Sequence, residues 1–268
     1  MRIPPPIFTR EHGAWALLLV PILTGIGLAG RVEVNHLYLT LSSIFFFLSY
    51  APAQIVFRLW QRRDSERERF SAAAVWGSAF ASLGFMSVVP LIVGGYLLIL
   101  PIGILAVILF ILNYALAKRS GKTLVGDIVG MLALTLGAPA AMCVGAMSID
   151  ARSVILWLLN FLFFASGAFY VHMKIAASRM KDRSFTPSQK LNLGYQNLLY
   201  HAVMIGIITA LVTRAHAPTS LFIVFLPITL HAMYGTVTLS RVANFKRLGL
   251  ILLGHSILFA GILVDVFS

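Results

Sequence analysis

Residues 96–116 read YLLILPIGILAVILFILNYAL, twenty-one positions without one charged side chain. A bilayer core of ~30 Å takes ~20 apolar residues of helix, because no water is present there to satisfy the backbone. Outward from this stretch the chain repeats the pattern. Eight more apolar runs lie at Gly13–Gly30, His36–Phe57, Ala72–Pro90, Leu124–Met147, Val154–Met173, Asn197–Val212, Ser220–Leu239 and Leu248–Phe267. The expected fold is all-α: a polytopic membrane helix bundle of about nine transmembrane helices. With no polar block or Pro/Gly/Ser-rich linker between runs, residues 1–268 read as a single domain.

Composition agrees. Of the 268 residues, 59% are hydrophobic and 11% charged, against about 25% charged in a soluble domain. The net charge of +12 raises nucleic acid as a partner, and its placement argues against that. Eighteen Lys and Arg fall at the N-terminus and in the gaps after even-numbered runs; the gaps after odd-numbered runs hold Arg31, Arg152 and Arg214. That split is the positive-inside pattern of a chain that starts in the cytoplasm and ends outside. Membrane lipids, not nucleic acid, are the expected partners; the oligomeric state is left open. The opening residues hold no cleavable signal pattern, so the first run is expected to stay as an anchor. Cys143 is alone and is expected to pack inside the fifth run.

The longer gaps lie on the basic side, at Arg58–Ser71, Ala117–Thr123, Lys174–Gln196 and Ser240–Arg247. Binding groups concentrate on such loops. Two of them, after Arg58 and after Lys174, read as helical extensions that would cap the bundle. Pro21, Pro52, Pro139 and Pro227 sit inside runs and are expected to kink helices. Gly126, Gly130, Gly137, Ala141 and Gly145 make a small-residue line suited to close helix contact within the bundle.

The residues able to carry chemistry gather at the same side. Glu11-His12-Gly13-Ala14-Trp15 opens the first run, where His12 beside Glu11 is able to bind a metal, relay a proton or hold a phosphate, or simply to stand in water beside an interfacial Trp15. Gln54, Arg58 and Arg62 share one helical face, and a guanidinium suits phosphate or carboxylate; snorkelling to lipid heads is the plainer use. Asn113-Tyr114 and Lys118 precede Gly126-Asp127, and Asp127 is an acid beside the bilayer, favoured by a helix N-terminus and placed to take a proton or clamp a base. Gly121-Lys122-Thr123 lacks the upstream glycine and strand of a P-loop. Tyr170 and Lys174 lie one turn apart with Ser178 following. His201, His231 and His255 have no ligand-type partner on their own helices; with Asn160 they leave open a polar path. Asp64 and Glu68 are spaced to share a divalent cation, yet the surrounding arginines explain the run as helical ion pairs.

Taken together, Glu11-His-Gly-Ala-Trp15 with Pro21, Asn113-Tyr114 with Lys118 and Gly126-Asp127, and Phe169-Tyr170-Val171 with Lys174 and Arg179 resemble the YwiC-like family of bacterial integral membrane proteins, over most of the chain from Thr9 to about Asp182. That family implies no particular reaction. More distantly the chain resembles the UbiA superfamily of intramembrane prenyltransferases, with nine helices, a cytoplasmic N-terminus and functional loops after the second, fourth and sixth helices. Those enzymes hold Mg-diphosphate between two acidic motifs, the first NxxxDxxxD. Here the comparable positions read Gln54, Arg58, Arg62 and Tyr170, Lys174, Ser178. Cationic side chains cannot ligate a cation, so the motifs do not support magnesium; any other cofactor is left unassigned.

Two functions follow as expectations. In the first, a UbiA-like protein handles an isoprenoid or other amphiphile, its anionic head clamped by Arg58, Lys118 and Lys174 with Tyr114 and Tyr170 beside them, and His12 or Asp127 acts as base or orienting group in a prenyltransferase-type reaction without metal. In the second, the protein is not catalytic: it binds a lipid, quinone or haem, moves a small solute, or serves as a subunit.

Overall fold

The computed structural model describes residue 5 and residues 12–62, 67–120, 123–180, 184–214, 217–241 and 244–267. Among them the chain is helical throughout: α1 (His12–Leu28), α2 (Val34–Arg62), α3 (Arg67–Val93), α4 (Ile99–Ser120), α5 (Leu124–Thr135), α6 (Gly137–Ala146), α7 (Ala151–Ser178), α8 (Pro187–Arg214), α9 (Leu221–Val237) and α10 (Phe245–Phe267). Each of the nine apolar runs contains one helix, except the fifth, which contains two. Seven segments, counting Leu124–Ala146 as one, are long and apolar enough to cross a bilayer. The helices α1 and α9 are apolar but only 17 residues long, so the count of nine crossings is approximate.

The break in the fifth run has a local cause. Pro139 has no N–H to return to the carbonyl of Thr135, and its ring crowds that carbonyl. The chain gives up one turn at Leu136, whose N–H reaches back to Ala133 at 3.3 Å, and restarts as α6. Pro21, Pro52 and Pro227 by contrast lie within continuous helices.

The short helix α6 is central because it is made of small residues. A β-carbon on Gly25 of α1 would collide with the Ala138 carbonyl and Ala141, one on Gly145 with Ala29, and one on Gly137 with Ile22. The small-residue line is therefore an internal seam, its Gly137–Gly145 part closing on α1. Its other part, at Gly126 and Gly130, faces Asn113 of α4. Two apolar cores meet at this seam. One joins α1 and α6 to α7, α8, α9 and α10 through Leu159, Phe163, Met204, Phe225 and Phe259. The other joins them to α2, α3 and α4 through Phe47, Leu91 and Tyr96, and it takes in Cys143. Trp15, expected at the lipid interface, packs inward on Phe47 with ring centroids 5.3 Å apart.

Alternating helix direction brings the ends that carry Arg58, Lys118, Lys174 and Lys190 together; this is the basic end. The expected helical extensions are present in part: α2 runs on to Arg62 and α3 starts at Arg67, while α7 runs on to Ser178, where Arg179 closes it. At the opposite end Glu33 joins the α1–α2 turn to the α3–α4 turn. It accepts a hydrogen bond from the Tyr96 hydroxyl at 2.5 Å and pairs with Arg31 at 2.7 Å, while Arg31 also donates to the Gly145 carbonyl at 2.9 Å. The Tyr96 bond, ahead of the Arg31 charge, holds the Glu33 carboxyl below its ordinary range.

Asn160 and His201, deep in the bundle, are each bonded in a separate pair. Asn160 donates to Thr24 at 3.1 Å and to the Leu156 carbonyl at 3.0 Å; both side chains are fully buried. His201 bonds Ser166 at 2.8 Å and the Asn197 carbonyl at 2.7 Å. Leu162, Phe163 and Phe164 fill the space along α7 between these pairs. Of the residues expected to line a polar path, Asn160 and His201 are thus separated by an apolar layer.

Candidate functional site

The last two turns of α7 carry the groups of interest, and helical geometry sorts them. Tyr170 and Lys174 are i, i+4 neighbours on one face; His172, two residues from each, points ~200° away. Since α7 packs against α5 on one side and α9 on the other, the candidate residues separate into two groups with α7 between them.

On the α9 side Tyr170 is buried, 4% exposed, with its hydroxyl pressed against Gly235, where any β-carbon would overlap it. Glycine is required there by close approach, not by backbone conformation. Lys174 reaches inward as well. Its Nζ donates to the Gly235 carbonyl at 3.1 Å and stands 5.4 Å from the centre of the Tyr170 ring. Gly235 is in the last turn of α9, where carbonyls lack intrahelical partners and the helix dipole is negative. Lys190 caps the same terminus at the Val237 carbonyl, 2.8 Å away. These contacts orient the Lys174 ammonium but do not neutralise it. No carboxylate pairs with it among the described residues.

The aromatic chain continues from Tyr170 into the bundle. Its ring meets His231 of α9 edge to face at 5.0 Å, and His231 meets His255 of α10 the same way at 5.0 Å. Both imidazoles have a buried Nε2 with no hydrogen-bond partner. Sequence spacing treats these histidines as isolated, because their partner is each other across two helices.

On the α5 side Thr123 caps the helix, accepting from Gly126 N–H at 3.2 Å, and Asp127 stands in the first turn. Its Oδ2 lies 2.8 Å from Nε2 of His172. The pair is open to the surface, with 44% of the Asp127 side chain and 28% of the His172 side chain exposed. Asp127 was expected to clamp a lysine or arginine, or to take a proton; its partner is a histidine that the local pattern did not single out. The only hint was that His172 lies in the same helical end as Tyr170 and Lys174.

Tyr114 belongs to neither group. It packs edge to face on Phe57 of α2, centroids 5.3 Å apart. Its neighbour Asn113 ties α4 to α5 through the Gly126 carbonyl, 2.5 Å, and accepts from Tyr50 of α2 at 3.0 Å. Lys118 and Arg58 are exposed at the ends of α4 and α2, and no hydrogen bond or ion pair joins Arg58 to Tyr170 or Lys174. Of the three cations expected to form the clamp, Lys174 turns into the bundle, while Arg58 and Lys118 are exposed. Glu11, Asp64, Lys122 and the side chains of His12 and Arg62 lie outside what is described. Among the described residues no three His, Cys, Asp or Glu side chains converge as a metal site.

Comparison with known proteins now adds a family. The family model for YwiC-like protein matches residues 8–142. The chain is 25% identical over 232 residues, 85% of each chain, to the uncharacterized protein YwiC of Bacillus subtilis (strain 168). No solved structure matches.

Proposed function

The chain belongs to the YwiC-like family, and from that premise we propose that it is a protein of the bacterial cytoplasmic membrane that holds an amphiphile, an isoprenoid or similar lipid, by its anionic head at the basic end of the bundle. The observation that carries this reading is Lys174. A lysine at the end of a transmembrane helix ordinarily extends outwards to lipid heads. This one is turned inwards over Tyr170, with a carbonyl for a partner and, among the described residues, no acid. An unneutralised charge in low dielectric is costly and is expected to be met by an anion. The 18-to-3 distribution of basic residues supports a cytoplasmic basic end.

Catalysis would need more than this. The Asp127–His172 pair, open to the surface, lies across α7 from Lys174, so a prenyltransferase-type reaction on a head held at Lys174 would proceed without that base and without the acidic motifs of UbiA enzymes. Binding without catalysis needs only Lys174, and it is the reading with the fewer requirements.

The test is native mass spectrometry of protein purified in mild detergent, comparing Lys174→Met with Arg58→Ala. An acidic lipid retained by wild type and Arg58→Ala and lost from Lys174→Met is the expected result. Equal retention by both variants would overturn the proposal.

A further inference from the structure

We propose that Lys190 is the second jaw of the Lys174 site, and that the two ammonium groups select a lipid head with two negative charges, a phosphomonoester, over a singly charged phosphodiester. The inference rests on the reading of Lys174 above and extends it to a residue of α8. It begins from the charge at the end of α9. The carbonyls that close a helix carry about half a unit of negative charge, so one ammonium group is enough to balance them. Here two are present: Lys174 of α7 donates to the Gly235 carbonyl at 3.1 Å, and Lys190 of α8 to the Val237 carbonyl at 2.8 Å. Among the described residues no carboxylate pairs with either. The surplus is about one and a half positive charges, against about half a charge for Lys174 alone. A singly charged head leaves part of that surplus unbalanced; a doubly charged head balances it.

Packing brings the two lysines to one rim. A β-carbon on Gly194 of α8 would collide with Thr236 of α9 and lie 3.4 Å from the Met173 sulfur of α7, so the three helices meet at that point. Lys174 follows Met173, and Lys190 stands one turn nearer the basic end than Gly194. The two accepting carbonyls are ~5 Å apart in α9, which puts the ammonium groups at most ~11 Å from each other. A phosphate gripped from two sides needs ~8 Å between the nitrogens, and the flexible lysine stem closes that difference. Each ammonium uses one of its three donors on a carbonyl and keeps two for phosphate oxygens.

The rim is open. Both lysines are partly exposed, and Tyr234 and Val237 in the last turn of α9 are 71% and 70% exposed. Below them Leu226 and Leu230 continue the same exposed face down α9. A head group at the lysines would lay its tail along this stripe, for which a free anion has no use.

The experiment uses full-length protein in nanodiscs of phosphatidylcholine, with phosphatidic acid or phosphatidylglycerol of the same acyl chains added. Native mass spectrometry reads the apparent affinity for each at about pH 8, above the second ionisation of a phosphomonoester. Wild type is expected to prefer phosphatidic acid by about tenfold, the worth of one hydrogen bond to a charged group. Lys190→Gln keeps an N–H for the Val237 carbonyl but loses the charge, and should bring phosphatidic acid down to the level of phosphatidylglycerol. Lys190→Arg should retain the preference, which separates loss of charge from loss of fold. A wild type without preference, or a preference that survives Lys190→Gln, would overturn this inference; the function proposed above stands if Lys174→Met still loses both lipids. If neither lysine variant changes the binding of either lipid, both fall. Displacement of phosphatidic acid by inorganic phosphate at equal concentration would overturn a lipid-borne head.

Discussion

Tyr170 and Gly235 are in direct contact, hydroxyl against α-carbon, so that the missing side chain of one is the space occupied by the other. Replacing Gly235 with alanine leaves no room for the tyrosine where it stands. The ring must swing away, taking with it the face that Lys174 overlies. The expected outcome for Gly235→Ala is a loss of ~1–3 kcal/mol from overpacking together with weakened lipid retention. Gly235→Ala combined with Tyr170→Phe should recover little of the stability, because the ring carbons Cε2 and Cζ still lie 2.5 and 2.6 Å from the added methyl. Thermal unfolding in nanodiscs measures the first effect and native mass spectrometry the second.

The seam between α1 and α6 gives a second prediction, with its own control. In Gly25→Ala the new methyl meets a carbonyl oxygen and the β-carbon of Ala141. Alanine gains up to ~1 kcal/mol in helix propensity, but a clash with backbone costs ~1–3 kcal/mol, so the net change is destabilising. Gly206→Ala in α8 has nothing within 4 Å of the added atom and should be neutral or slightly stabilising. The unfolding midpoint should therefore fall in Gly25→Ala and hold or rise in Gly206→Ala.

Acid should loosen the end of the molecule opposite the lysines. Glu33 is held below its ordinary range chiefly by the Tyr96 hydroxyl. A carboxyl with a depressed folded value stabilises the fold in full above the unfolded value, ~4.3, and that contribution is lost as pH falls through the folded value. Stability measured from pH 7 downwards should thus hold to near pH 4 and then decline. Tyr96→Phe removes the largest cause, raises the folded value towards the unfolded one and lowers the stability available at pH 7. Glu33→Gln should remove this part of the pH dependence.

Asp150 caps α7, accepting from both the N–H and the hydroxyl of Ser153 at 2.8 Å. Asp150→Ala should cost ~0.5–2 kcal/mol, while Asp150→Asn, which also caps, should cost less. The backbone bond to Ser153 is the first cause of the lowered Asp150 value, so the aspartate's advantage over asparagine should vanish in strong acid.

The helices were readable from sequence because the bilayer imposes its own thickness on every span: the run 96–116 has one physical use. The division of the fifth span was less so, although Pro139 held the clue, since a proline breaks or merely kinks according to what surrounds it. The site was readable only in fragments. Tyr170 and Lys174 share a helix, and their spacing is visible along the chain. His172 needs Asp127, 45 positions away, and His231 needs His255 on the next helix; neither pairing leaves a periodic trace. Arg58 misled for the converse reason. It has the composition and spacing of a binding residue, and its direction is decided by the packing of α2 against α3, which composition does not record.

The place of α1 in the bundle has a consequence for biogenesis. Besides α6 it packs against α10, where Gly27 lies under Val264. The first described helix to leave the ribosome thus waits for the last before one of its flanks is covered. Until then lipid tails cover that flank in place of α10, and a chain stopped before α10 should insert its earlier helices yet lack the packing that fixes α1.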